Sequence, residues 1–85
     1  MIFEDVKMEE IKILFASVLQ IAPTQVNEAI TNEEIVSWTS FNHLNLIAVF
    51  EEKFGISIEP EEILIMAENF GKFQEIILKK CNCSQ

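Results

Sequence analysis

The apolar positions of this chain recur at helical spacing, not at the alternation of strands. Near the N-terminus, Val6, Ile11, Leu14, Phe15, Val18 and Leu19 fall largely three or four residues apart and make one stripe. The stripe predicts a first helix from about Glu4 or Asp5 to about Gln20, with those two acids at the end of the macrodipole that favours negative charge. Pro23 blocks continuation and pushes Ala22 out of helical geometry. A long loop is then expected from about Ala22 to Trp38. Thr24, Asn27, Thr31 and Asn32 are turn formers there, and Glu33 and Glu34 are solvated. Val26, Ile30, Ile35, Val36 and Trp38 are apolar, so the loop is expected to pack onto the helices, with Trp38 as its anchor.

A second helix is expected from Thr39 or Ser40 to Phe54, capped by one of the first two and ended by Gly55 in the left-handed region. Pro60 opens a short third helix, with Glu61 and Glu62 beside it and Ile63 to Met66 following. Asn69 is placed to cap a fourth helix carrying Phe70, Phe73, Ile76 and Ile77 inward, with Lys79 and Lys80 at its C-terminal end. No long β-branched alternating run and no Asn-Gly or Asp-Gly hairpin signal is present. The expected fold is all-α, a small four-helix bundle with a long first loop and a short third helix. Phe3, Phe15, Phe54, Phe70 and Phe73 are its expected core aromatics.

Length confines this to a single domain over 1–85, since 85 residues hold one small core. The chain begins Met-Ile-Phe-Glu-Asp, with acids where a signal peptide carries bases, and cytoplasm is the expected location. Cys81 and Cys83 are too close together to staple a fold and are expected as reduced thiols on a frayed tail of about 81–85. Two glycines exclude a Gly-rich phosphate loop. A single histidine, His43, limits any His-based metal site or triad, and no metal is expected. His43 and Ser40 lack a third orienting group, so catalysis is not expected and His43 reads as a structural core histidine.

Charge changes the picture more. Fourteen acids against six lysines give −8, which argues against nucleic acid or an anionic membrane as partner and for a monomer. The excess is local. Residues 28–68 hold nine acids and one lysine (−8), residues 1–27 come to −2, and residues 69–85 to +2. The acidic middle segment reads either as a generic solvated surface or as an electrostatic docking surface for basic partners.

On a helical wheel starting at Ser40, the second helix has two apolar faces. Leu46, Val49, Phe50, His43, Phe54 and Ile47 fall between about 180° and 340°, and this wider face is the expected core side. Leu44, Ala48 and Phe41 fall between about 40° and 100°, flanked by Glu51 and Glu52. A small domain cannot readily bury both faces, so the narrower one is expected as an exposed partner site comprising Thr39, Phe41, Leu44, Ala48, Glu51 and Glu52.

At these residues the chain resembles the acyl carrier proteins and the related peptidyl and D-alanyl carriers. Their Asp-Ser-Leu at the start of the second helix, often Trp-Asp-Ser-Leu followed by His-Leu, is matched by Trp38-Thr39-Ser40-Phe41 and His43-Leu44. Glu51-Glu52-Lys53-Phe54-Gly55-Ile56 and Ile58-Glu59-Pro60-Glu61-Glu62 resemble the later segments. The resemblance implies covalent 4′-phosphopantetheine on Ser40, delivered from coenzyme A by a phosphopantetheinyl transferase. It also implies acyl or aminoacyl cargo held as a thioester, and loading and processing enzymes with basic docking surfaces. Standing alone with a Trp and His variant of the motif, the chain leans toward a specialised biosynthetic pathway. Two positions depart from the pattern. Thr39 replaces the aspartate and removes a negative charge beside the serine, and Phe41 replaces leucine. Two alternatives stand beside the carrier: a carrier-like acidic helical interaction module that is never modified, and an unrelated helical adaptor binding through Phe41, Leu44 and Ala48.

Overall fold

The structure is a computed structural model and describes residues 3–83. Among the described residues there are four α-helices and no strand: α1 (Phe3–Leu19), α2 (Ser40–Phe54), α3 (Pro60–Met66) and α4 (Phe70–Cys83). No helix among them is long and apolar enough to cross a membrane. The order and lengths follow the apolar periodicity.

α1 stops one residue earlier than expected, and for a different reason. Gln20 takes a left-handed backbone with φ 60°. Its N–H donates to the Ser17 carbonyl at 3.2 Å and that of Ile21 to Ala16 at 3.0 Å, a Schellman termination. Pro23 comes three residues later and opens a single 3-10 turn, Pro23–Gln25. The α1 stripe buries Ile11, Phe15, Ala16 and Leu19, with Leu14 and Val18 half-buried. The side chains of Val6 and Phe3 lie outside the described residues.

The long segment from α1 to α2 is ordered by successive turns. Main-chain N–H groups of Ile30, Glu34 and Trp38 donate to the carbonyls of Asn27, Thr31 and Ile35. Two further bonds lash it to α4: Phe70 N–H to Ile30 O at 3.0 Å and Gly71 N–H to Glu28 O at 2.9 Å. These occupy first-turn donors of α4 that have no partner within the helix. The close approach requires glycine, since a Cβ at position 71 would lie 2.9 Å from the Glu28 carbonyl oxygen. Ser37 Oγ donates to the last α1 carbonyl, Leu19 O, at 2.8 Å. Val26, Ile35 and Trp38 are buried and Ile30 half-buried, as a packed loop demands. Val36 is the exception: it is 91% exposed because the turn that sends Ile35 inward sends its neighbour out.

The core is an aromatic cluster. Phe15 meets Trp38, Phe70 and Phe73 edge-on at centroid distances of 5.0, 4.7 and 5.2 Å, and Phe73 meets Phe50 at 4.9 Å. Edge-to-face rings add to the burial of their area. α4 supplies Phe70, Phe73, Gln74, Ile77 and Cys81 to this side, with Ile76 half-buried. Asn69 Oδ1 caps α4 by accepting from Lys72 N–H at 2.8 Å. Of the tail expected at about 81–85, residues 84–85 lie outside the described residues. α4 runs through Cys83, and Cys81 is buried, continuing the Phe70, Phe73, Ile77 stripe. Burial pushes the Cys81 thiol above its ordinary value.

Candidate functional site

Thr39 decides where α2 begins. Its backbone is extended and its Oγ1 accepts from Asn42 N–H at 3.1 Å, so Thr39 is the cap and Ser40 the first helical residue. The main-chain N–H groups of Ser40 and Phe41 belong to the first turn and have no intrahelical partner. Ser40 is exposed, and the first turn of α2 carries no acid. A hydroxyl therefore stands in water beside backbone donors and the positive end of a helix of 15 residues.

Trp38 and His43 anchor this start from below. The indole Nε1–H of Trp38 donates to His43 Nδ1 at 3.0 Å. An indole nitrogen only donates, so Nδ1 carries no proton and the neutral ring holds its hydrogen on Nε2. Nε2–H then donates to the Ile63 carbonyl of α3 at 2.8 Å. This relay ties the loop, α2 and α3 together around one buried ring. Deleting one member leaves a buried polar group unpaired, which costs about 1–3 kcal/mol. His43 is thus the structural histidine its wheel position predicts. Asn42 Nδ2 adds a bond to Ser37 O at 2.8 Å.

Between the loop, the start of α2 and α3 lies a cleft of about 240 Å³. Ser40 and Thr39 stand on its rim. Trp38 and His43 line it from the core side, Leu44, Ile63, Leu64 and Ala67 give apolar walls, and Asn32 closes the loop side.

The structure places the other expected site residues as follows. Phe41 and Leu44 are 74% and 59% exposed, and Ala48 and Glu52 are exposed as well. The loop therefore does not cover Phe41. Leu44 lines the cleft, whereas Phe41, Ala48, Glu51 and Glu52 lie outside it. Glu51 differs from its neighbour: it is half-buried, and its Oε2 accepts from Ile58 N–H at 2.8 Å. One of its oxygens is thus engaged in shaping the α2–α3 connection.

Sequence reasoning missed the contribution of α3 and the loop. Leu64 is 74% exposed, Ile65 41% and Val36 91%, joining Phe41 and Leu44 as large apolar residues left in water. A signal was present: Ile63-Leu64-Ile65-Met66 is apolar throughout, and one helical turn cannot bury all four against one core. α3 buries Met66 and half-buries Ile63. Its other face is pinned by Glu62, whose Oε1 accepts from Glu59 N–H at 2.8 Å and meets Lys80 Nζ of α4 at 2.8 Å. The Lys80 ammonium, with the Glu59 N–H, holds the Glu62 carboxyl below its ordinary value. Among the described residues no group of three or more His, Cys, Asp or Glu side chains converges as a metal site.

The chain matches no protein-family model and no curated protein sequence.

Proposed function

We propose that this protein is an acyl carrier, bearing 4′-phosphopantetheine on Ser40 and presenting thioester-bound acyl or aminoacyl groups to partner enzymes. The observation that carries the reading is the placement of Ser40. It is an exposed hydroxyl on the first residue of α2, beside unpaired backbone donors, at the rim of a largely apolar cleft. The residues fit the group. Ser40 and Phe41 N–H are available to a phosphodiester, and no first-turn acid opposes its charge. In the transfer, Ser40 Oγ attacks the β-phosphorus of coenzyme A. The O–P bond forms as the phosphoanhydride bond breaks, 3′,5′-adenosine bisphosphate leaves, and the hydroxyl proton passes to base or solvent.

The partner surface spans the same helix and α3. Phe41, Leu44 and Leu64 offer apolar contact, and the acids of residues 28–68 offer attraction to a basic docking surface. The carrier itself performs no chemistry. Its place is a specialised biosynthetic pathway, in the cytoplasm.

A second reading is favoured by Thr39, which caps the helix without placing a carboxylate beside the serine. It is an unmodified acidic interaction module using the same face. Intact mass separates the two. After incubation with coenzyme A, magnesium and a broad-specificity transferase, the carrier gains one phosphopantetheinyl group and the Ser40→Ala variant gains none. Protein isolated from its natural host carrying only its unmodified mass would favour the module.

A further inference from the structure

The cleft beside Ser40 is shallow, and the side chains at its core side are already bonded to one another. At about 30 Å³ for a water-sized group, about 240 Å³ has room for about eight non-hydrogen atoms. On the core side stand Trp38 and His43, 3% and 6% exposed, and their ring nitrogens are committed to each other and to Ile63 O. Phe15 packs edge-on behind Trp38, and Phe73 behind His43, both fully buried. The two larger clefts, near Met8, Glu28 and Gln74, share no lining residue with this one. A chain pushing deeper between α2 and α3 must part His43 from Ile63. That detaches the two helices and leaves a ring N–H and a carbonyl unpaired among aromatic rings.

We infer that the Trp38–His43–Ile63 relay is a stop that sets the size of the cargo. The carrier shelters short acyl groups, of about eight non-hydrogen atoms or fewer, against Leu44, Ile63, Leu64 and Ala67, and leaves the rest of a longer chain in water. His43 and Trp38 are positioning residues for specificity and touch no reacting atom. The inference rests on the carrier reading of Ser40.

The test loads the full chain with acetyl, butyryl, hexanoyl, octanoyl and lauroyl pantetheine arms from the corresponding coenzyme A thioesters. Three quantities are read: the thermal midpoint, the NMR shifts of Leu64 in the cleft and Phe73 in the core, and the rate of thioester cleavage by hydroxylamine. The midpoint is expected to rise up to butyryl or hexanoyl and then level off. Leu64 shifts with cargo while Phe73 does not. The lauroyl thioester is cleaved within about twofold of the rate for the hexanoyl thioester on the same protein, a difference worth less than ~0.5 kcal/mol of barrier.

A midpoint that climbs through lauroyl, a moving Phe73 signal, or protection of lauroyl more than about tenfold beyond that of hexanoyl overturns the inference and leaves the carrier reading standing. A chain that accepts no arm overturns both. His43→Ala removes the stop and is expected to protect lauroyl. Trp38→Phe is the companion variant should His43→Ala fail to fold, since it keeps an aromatic ring and deletes the N–H donor. A folded variant that protects lauroyl no better than the parent overturns the role given to the relay.

Discussion

The two faces of α2 are built from similar residues and meet opposite fates. His43, Leu46, Ile47 and Phe50 face inward and are almost wholly removed from water. Phe41, Leu44 and Ala48, on the same helix and as apolar on average, stand in solvent. The difference is in what each face meets. The inner one finds the aromatic cluster of α1 and α4 and, through His43, the Ile63 carbonyl. The outer one is left open, because across the cleft α3 packs through Met66 and Ile63 and turns Leu64 outward as well. Apolar character alone therefore does not place a residue in a core. α2 is thus committed on one side and leaves Phe41, Leu44 and Ala48 in water on the side of Ser40.

This contrast can be broken most severely in the core. Phe73→Ala removes the ring that joins Phe15, Phe50 and Phe70 and should cost about 3–5 kcal/mol, enough to take away much of the stability of a domain this small. Phe41→Ala, on the outer face, should change stability by less than about 0.5 kcal/mol. Chemical denaturation of the pair measures both, and equal losses would mean that Phe41 is not the surface residue described.

Gly71→Ala comes next. Its methyl group would meet the Glu28 carbonyl at 2.9 Å, main chain that cannot swing aside. A loss of about 1–3 kcal/mol is expected, with faster hydrogen exchange at Phe70 and Gly71 amides as the loop lifts from α4. Thr39→Ala should cost about 1 kcal/mol by removing the cap of α2, whereas Thr39→Asp keeps the cap. Under the carrier reading, Thr39→Asp also speeds arm transfer, because it restores the carboxylate beside Ser40. A rate unchanged in a transferase assay would remove the significance given to that position.

The smallest effect concerns the tie between α3 and α4. The folded-state value of Glu62 lies below its ordinary 4.5. Its contribution is therefore complete above that ordinary value and is lost as the pH falls through the lowered folded value. Lys80→Ala should weaken this acid-range dependence, leaving the part that the Glu59 N–H supplies. At neutral pH it should cost no more than about 1 kcal/mol, since both side chains keep about a fifth of their surface in water. Thermal melts of the two proteins across the acid range check the sign.

How much of this was legible beforehand depended on how local each cause was. Thr39, Gly55, Pro60 and Asn69 announced their helix boundaries because caps and left-handed stops act within a few residues. Gln20 did not, since a glutamine is an uncommon choice for a left-handed position and nothing nearby marks it. The two faces of α2 were readable from the wheel, whereas the outward turn of Val36 was not, because an irregular loop has no period. Ser40 could be singled out from its neighbours. The cleft beside it could not, since part of its wall comes from Ile63 and Leu64 of α3 and Ala67 at its C-cap.

The order of the four helices, the boundary signals at Thr39, Gly55, Pro60 and Asn69, the stripes the helices bury and the acidic middle segment were thus determined by the sequence alone. Each follows from hydrogen bonds or periodicities spanning one or two turns. Only the tertiary structure decided that Cys81 lies inside the core, that position 71 must be glycine, that Glu51 serves the Ile58 amide, and that His43 bridges Trp38 to Ile63. Those outcomes require segments from different parts of the chain to meet, and a meeting of that kind is set by packing rather than by any local pattern of residues.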